Sequence, residues 1–220
     1  MKNLFKINPI LIIFLMLELG NVSSPYDKNE ISEMKLGKVI KKKEVTPENV
    51  KVLAAGIVVS DIDAIRKVII DCEKHKEFIP RCKLCQILHF KIDSIYSKIV
   101  IDTPLIPDLT YYLETNLSYS DSVTLITWKM DTTKPPPYIL DTYGFWKITS
   151  LDSTTYILAC YMDIDLKFHW TLNWILKPII KFMIKNDLPE LIENFRARIE
   201  SQEIWEIGQK KPIPKIVLKK

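Results

Sequence analysis

Four cysteines and three histidines are the residues in this sequence best suited to chemistry. Cys82 and Cys85 form a single CxxC pair. A structural zinc site usually needs a second pair of Cys or His ligands at short spacing, and a redox CxxC usually opens a helix, whereas this pair enters a predicted strand. We therefore favour buried structural thiols and predict no metal site, with one disulfide and metal or redox chemistry as alternatives. The other two cysteines are Cys72 and Cys160.

The remaining ionisable side chains suggest no catalytic residue. His75, His89 and His169 are scattered singly, and none sits beside a second catalytic residue type at a recognisable spacing. We interpret them as surface or satisfied structural histidines, with a general base as the alternative. Arg81 follows a Phe-Ile-Pro turn and is interpreted as a solvated charge, the alternative being contact with a ligand head group. We expect no cofactor.

Composition indicates a globular protein with a sizeable core. The chain has 220 residues, of which 47% are hydrophobic, and 31 basic residues against 27 acidic residues give a formal charge of +4. The charges are mixed along the chain, and this balance is too mild for a nucleic-acid binder, so we expect no nucleic-acid partner. One compact domain of about 150 residues with appendages fits the length.

The first segment has the layout of a secretory signal peptide. Lys2 and Lys6 precede an apolar run over residues 9–17, and small residues follow it. The run is too short to span a bilayer comfortably. We expect export to the periplasm or the exterior, and Pro25 leaves the cleavage site open.

The chain then changes from a polar lead-in to regular elements. Residues 25–50 carry few apolar anchors and are predicted to be exposed. Residues 52–59 form an apolar, β-branched strand candidate, and apolar residues recur at helical spacing over 62–72. Pro80 ends that helical stretch.

From about residue 83 the apolar period falls to two, as in half-buried strands. Short links between the strands predict an antiparallel meander. The six candidate strands span about 83–91, 94–103, 109–119, 122–131, 138–150 and 154–166.

Alternation assigns the faces of these strands if charged positions point to water. Lys98, Glu114, Lys129, Lys147 and Asp163 mark the outer face. The opposite face is then apolar and aromatic and needs a cover. The predicted inner-face residues are Ile95, Ser97, Ile99, Ile101, Tyr111, Leu113, Thr115, Leu117, Ile126, Trp128, Met130, Gly144, Trp146, Ile148, Tyr156, Leu158, Cys160, Met162 and Ile164.

The predicted cover is a long C-terminal helix. Apolar residues recur at helical spacing from Leu172 to Ile199. Asp187 and Glu190 have capping-box spacing and Pro189 fits a first helical turn, so a break is predicted near residue 187. A basic tail over 206–220 follows.

Several short motifs in this order resemble a known superfamily. Residues 58–65 (VVSDIDAI) and 77–80 (EFIP) resemble the opening of START-like and polyketide cyclase-like proteins of the SRPBCC superfamily. Residues 143–148 (YGFWKI) resemble their "G-x-W-x-L" strand. Residues 186–191 (NDLPEL) and 195–198 (FRAR) resemble their terminal helix.

The resemblance covers about residues 52–202 and implies an α+β helix-grip fold, in which a curved antiparallel sheet wraps around the long C-terminal helix. Such proteins enclose a hydrophobic tunnel that binds lipids, sterols, quinones or polyketides. The predicted segments are 1–24, signal peptide; 25–50, exposed lead-in; 51–205, START-like helix-grip domain; and 206–220, basic tail.

Inner-face aromatic residues with polar tips suit the orientation of an amphiphilic ligand. Ordinary core packing is the alternative for each of them. The candidate ligand-binding residues are Tyr111, Leu113, Ile126, Trp128, Trp146, Tyr156, Met162, Ile179 and Met183.

The favoured hypothesis is an exported, non-catalytic carrier of a hydrophobic small molecule, with lipid as the expected class. The alternatives are a polyketide cyclase-like enzyme using the same cavity and an interaction module whose cavity is filled. Trp170 and Trp174 lie four residues apart, a spacing that allows transient membrane contact, with core packing as the alternative.

Overall fold

The structure is a computed structural model that describes residues 26–46, 49–103, 107–119, 123–136, 139–166 and 173–201, without the side chains of residues 119 and 173–185. The predicted signal peptide, basic tail, His169 and Trp170 lie outside the described residues. The chain divides into two compact units, Met1–Ser32 and Glu33–Lys220. Helix α1 (Lys28–Lys35) begins in the first unit, and the strands and the other helices belong to the second.

The described part of the second unit contains one antiparallel sheet in the strand order β1-β2-β8-β7-β6-β5-β4-β3. The predicted meander is confirmed, because β3 to β8 are neighbours in chain order. The strands are β1 (Ile40–Val45), β2 (Asn49–Val59), β3 (Cys82–Phe90), β4 (Ser94–Ile101), β5 (Leu109–Tyr119), β6 (Val123–Met130), β7 (Ile139–Ser150) and β8 (Thr155–Leu166).

Strand β1 lies in the segment that was predicted to be an exposed lead-in. It pairs with β2 from Ile40 opposite Ala55 to Val45 opposite Val50. Its side chains after Ile40 are exposed, so the strand shows none of the apolar alternation that reveals a half-buried strand. Its three consecutive lysines lie at the edge of the sheet, where charged side chains hinder pairing with another chain.

Helix α2 (Ile62–Ile70) begins where the sequence predicts it. The Asp61 carboxylate accepts a hydrogen bond from the Asp63 backbone N–H at 2.6 Å, which satisfies one of the free donors at a helix start. A 3₁₀-helix (Cys72–Glu77) follows, so the α-helix is shorter than predicted. The helix buries one face, formed by Ala64, Ile65, Val68 and Ile69.

The C-terminal helix α3 (Asn173–Glu200) is continuous over 28 residues, and the predicted break near residue 187 is wrong. The Asp187 carboxylate accepts a hydrogen bond from Nε of Arg81 at 2.9 Å and does not cap a helix. Leu188 and Ile192 are buried on either side of Pro189. These tertiary contacts hold the helix through a residue that lacks a backbone N–H. None of the described helices combines the length and apolar character that crossing a membrane requires.

A glycine allows helix α3 to lie close to strand β2. A Cβ at Gly56 would lie 3.0 Å from Cγ2 of Ile192 and 3.6 Å from Cγ2 of Val39. Ile192 is 1% exposed, and Phe195 and Ile199 on the same helix are also buried. The helix therefore packs on the β1, β2 and β8 side of the sheet.

A second glycine makes room for an aromatic ring on the inner face. Gly144 on β7 is opposite Trp128 on β6 and Met162 on β8. A Cβ at Gly144 would collide with the Trp128 ring and with the Tyr161 carbonyl oxygen. The Trp128 ring therefore lies over the glycine, a recurrent reason for glycine inside a strand.

We expect Gly144→Ala to lower the free energy of unfolding by about 2 kcal/mol, because the added methyl group must displace a ring and a backbone carbonyl. Chemical denaturation followed by far-UV circular dichroism measures this. Leu140→Ala is the matched control on the same strand, since Leu140 is 49% exposed, and it should change stability by less than about 0.5 kcal/mol. Equal stability of the Gly144→Ala variant and wild type would contradict the packing described.

Candidate functional site

A cavity of about 270 Å³ lies between the inner face of the sheet, the 3₁₀-helix and helix α3. Its wall is mostly apolar. Strands β4 and β5 contribute Ile95, Ile99 and Leu113, and the helix contributes Leu188 and Phe195. The wall is apolar because period-two alternation directs these side chains to the same face of the meander.

The structure places six of the nine predicted ligand-binding residues on this wall. That they bind a ligand remains a prediction. The six are Tyr111, Leu113, Ile126, Trp128, Trp146 and Met162.

Tyr156 does not line the cavity, which corrects its predicted placement. It lies at the start of β8, and its hydroxyl donates a hydrogen bond to the Ser153 carbonyl oxygen at 3.2 Å. Its ring packs against the hydrophobic core. At this end of the sheet Ile148 and Leu158, both 1% exposed, fill the space under the strands. Ile179 and Met183 lie outside the described side chains.

Hydroxyl groups form one polar part of the wall. Tyr111 on β5 faces the cavity, and burial raises the pKa of its hydroxyl well above the usual range. Within the described part of the chain, no group hydrogen-bonds this hydroxyl. Ser97 on β4 is paired with Leu113, which places Ser97 diagonally between Tyr111 and Thr115 on the same face. The three hydroxyls could orient the polar end of a ligand.

Asp187 brings a carboxylate to the wall, paired with Arg81 outside it. Arg81 has a φ of 60°, in the left-handed region, and its Nε lies 2.9 Å from Oδ2 of Asp187. Burial raises the pKa of the Asp187 carboxyl, and the Arg81 guanidinium offsets part of that rise. Arg81, predicted to be a solvated charge, is instead an ion-pair partner.

His75 is a buried structural residue, in keeping with the predicted role. Its Nε2 lies 3.2 Å from the Val68 carbonyl oxygen, and its ring meets those of Phe78 and Phe195 edge-on, with centroids 5.7 Å apart in each case. Burial lowers the pKa of His75 to about 4. The imidazole is therefore neutral near pH 7 and is held in place on the cavity wall.

The cysteines divide between the predicted alternatives. Cys72 and Cys85 form a disulfide that joins the 3₁₀-helix to strand β3. Cys82 and Cys160 are free and buried, as expected for structural thiols, and burial raises the pKa of both thiols.

The sequence matches no protein-family model and no curated protein. Solved structures do match it. The Zhui aromatase/cyclase from Streptomyces sp. R1128 has a TM-score of 0.56 at 14% identity, over 70% of this chain and 97% of that one. A STAR-related lipid transfer protein fragment from Xanthomonas axonopodis has a TM-score of 0.58 at 10% identity, over 73% and 93%. Human STARD10 has a TM-score of 0.56 at 10% identity, over 86% of each chain.

The chain has the helix-grip fold of START-like and polyketide cyclase-like proteins. The resemblance drawn from the sequence motifs is thereby confirmed for the fold, a curved antiparallel sheet with a long C-terminal helix. At 10–14% identity these structures establish the fold alone, so the site residues rest on the geometry above.

The sequence patterns did not place two ionisable residues, His75 and Asp187, on the cavity wall. His75 was placed at the surface or in a structural role, and Asp187 was interpreted as a helix cap. Asp187 precedes Leu191 by four residues and so shares its helix face, a signal that could have identified it. Nothing in the sequence indicated that Asp187 would form an ion pair with Arg81, which lies 106 residues earlier in the chain.

We expect Arg81→Gln to raise the pKa of the Asp187 carboxyl by about one unit, because a desolvated carboxylate then loses its cation. Carboxyl ¹³C chemical shifts followed over pH measure this. A raised folded-state pKa means that ionisation of Asp187 destabilises the fold. The variant should therefore lose stability relative to wild type as pH rises from the wild-type pKa of Asp187 to the higher pKa in the variant. At lower pH the two proteins should have nearly the same stability.

The matched control for this experiment is Lys83→Gln. Lys83 pairs with Asp102 and Asp108 at the surface and does not contribute to the Asp187 pKa. An Asp187 pKa that stays unchanged in Arg81→Gln, or that shifts equally in both variants, would contradict the ion pair as described.

Proposed function

We propose that this chain is an exported carrier that holds one hydrophobic molecule, of the lipid class, in the helix-grip cavity. The observation that carries the proposal is a mostly apolar cavity of about 270 Å³ inside the domain, partly open to solvent. Ligand pockets are concave and mostly apolar, with a few placed polar groups. An interaction module with a filled cavity is less well supported, since this interior is not filled.

Affinity in such a site comes from removing apolar surface from water. Each 100 Å² of apolar ligand surface that is buried contributes about 2.5 kcal/mol. Tyr111, Ser97 and Thr115 add hydroxyls on one side of the wall, which suits a ligand with a single polar end. No unpaired charge lies among the described residues of the wall, so a charged head group would have no counter-ion there.

The names of the structural neighbours also support this function. One is a STAR-related lipid transfer protein and another is an aromatase/cyclase.

The aromatase/cyclase name supports a cyclase-like enzyme as the other candidate function, and the feature that favours it is the Asp187 carboxylate on the wall. Its pairing with Arg81 and the neutral His75 favour binding over acid–base chemistry. Turnover of a polyketide that is lost in Asp187→Asn, with the fold retained, would support the enzyme.

Export is part of the proposal. The signal-peptide layout of residues 1–24 supports it, as does the Cys72–Cys85 disulfide, because disulfides persist in oxidising compartments. Transient membrane contact during loading is proposed as well, from the four-residue spacing of Trp170 and Trp174.

We expect Leu113→Trp to weaken binding of the uncharged fluorescent probe N-phenyl-1-naphthylamine at least about tenfold, because the larger side chain occupies the cavity. Glu114→Trp is the matched control. It adds the same side chain one position along β5, where alternation directs it to the outer face. A fluorescence titration of both variants and wild type makes the measurement, with melting temperatures to verify folding. Equal affinity in the three proteins would place the binding site outside the cavity.

Cell fractionation of the source organism or of an expression host tests export. We expect the mature chain, shortened at its N-terminus, in the periplasm or the medium. A full-length chain confined to the cytoplasm would refute this part of the proposal, without bearing on ligand binding by the cavity.

A further inference from the structure

Three buried side chains on one side of the cavity have the chemistry of a metal site. One ligand atom from each of Cys72, His75 and Cys85 lies within 4.8 Å of the other two. All three residues line the cavity wall. Two thiols and one imidazole form a typical set for zinc and related borderline cations.

Local structure explains why these residues meet. Cys72 and His75 occupy positions i and i+3 of the 3₁₀-helix, where side chains three residues apart eclipse one another. A register shift between Cys82 and Leu84 begins strand β3, and Cys85 lies just beyond it with its side chain buried against the 3₁₀-helix. The 13-residue separation between the two cysteines thus closes a compact loop.

The surroundings of His75 prepare it to be a ligand. Nε2 lies 3.2 Å from the Val68 carbonyl oxygen, so a proton on Nε2 makes that hydrogen bond and leaves a lone pair on Nδ1. The edge-on rings of Phe78 and Phe195 fix the plane of the imidazole. Metal-bound histidines commonly donate the other ring N–H to a backbone carbonyl in this way.

We propose that the dithiol form of this cluster binds one zinc-class divalent ion through the Cys72 and Cys85 thiolates and the His75 imidazole. Cys72 and Cys85 then form a disulfide in the oxidised chain, and together with His75 they form a metal site in the reduced chain. Three protein ligands leave the fourth position of a tetrahedral ion open. All three ligands line the cavity. Metal binding by these three side chains does not depend on what the cavity carries.

The two states are connected by a balanced exchange. A dithiol reductant supplies two electrons and two protons to the Cys72–Cys85 disulfide, the S–S bond breaks, and the reductant becomes a disulfide. Binding of the divalent ion then displaces one proton from each thiol to solvent. The S–S bond and the metal–sulfur bonds are therefore mutually exclusive.

The test is a Co²⁺ titration of the full chain after reduction with a phosphine, which takes up oxygen from water as it converts the disulfide to two thiols. We expect one Co²⁺ per chain, a near-ultraviolet thiolate-to-cobalt charge-transfer band, release of two protons, and loss of the band when Zn²⁺ is added. The oxidised chain should show no band.

Variants assign the ligands. Cys72→Ser and Cys85→Ser should each weaken the charge-transfer band, and His75→Gln should lower Co²⁺ affinity at least about tenfold. Cys160→Ser is the control, because Cys160 is buried but outside the ligand cluster, and it should bind like wild type. Far-UV circular dichroism establishes the fold of each reduced protein.

Several results would overturn the proposal. One is a reduced wild-type chain that shows no charge-transfer band, whether it remains folded or unfolds. Another is a band of equal strength in the oxidised chain. A third is wild-type Co²⁺ affinity in Cys72→Ser, Cys85→Ser and His75→Gln.

Discussion

Helix α3 approaches the sheet closely at one side, and the interior depends on this contact. Gly56 on β2 leaves space for the side chain of Ile192, and the helix packs against β1, β2 and β8. The inner faces of β4, β5 and β6 belong to the same sheet but are not filled by the described part of the helix. Their side chains therefore surround a hollow, because the curved sheet extends beyond the surface that one helix can cover.

The electrostatics of the wall agree with an apolar cargo. Burying an unpaired charge is costly, and each ionisable group on the described wall avoids that cost. Asp187 pairs with Arg81, the pKa of His75 is lowered to about 4 so that the ring is neutral, and two of the thiols are joined in a disulfide. Hydroxyls such as that of Tyr111 are the polar groups left to meet a ligand.

Period-two alternation was enough to predict the strands from β3 to β8 and the inner face of β4 and β5, because Lys98 and Glu114 mark their outer side. On β8 the assumption that charged positions point to water was wrong, since Asp163 is 3% exposed and Ile157 and Ala159 on the same face are also buried. Alternation could not predict β1, whose side chains are exposed and whose pairing is made by the backbone. Alternation also predicts which face of the sheet a side chain is on, but not whether that side chain lines the cavity or packs in the filled core. Tyr156 lies on the inner side but at the filled end of the sheet.

Local sequence patterns could not predict the interactions between distant parts of the chain. The pair of Arg81 with Asp187 turned a predicted helix cap into a tertiary contact, and the helix continued through Pro189. The sequence left one disulfide open as an alternative without naming its pair, because Cys72 and Cys85 meet only when the 3₁₀-helix packs on β3.

The proposed function requires that the space between sheet and helix holds a hydrophobic molecule. Native mass spectrometry of the purified full chain, followed by organic extraction and identification of the released compounds, tests it most directly. We expect a bound mass of one lipid-sized molecule per chain that is lost on denaturation. Repeated preparations from the natural source that show only the mass of the bare chain, and that take up no hydrophobic molecule when one is supplied, would contradict it.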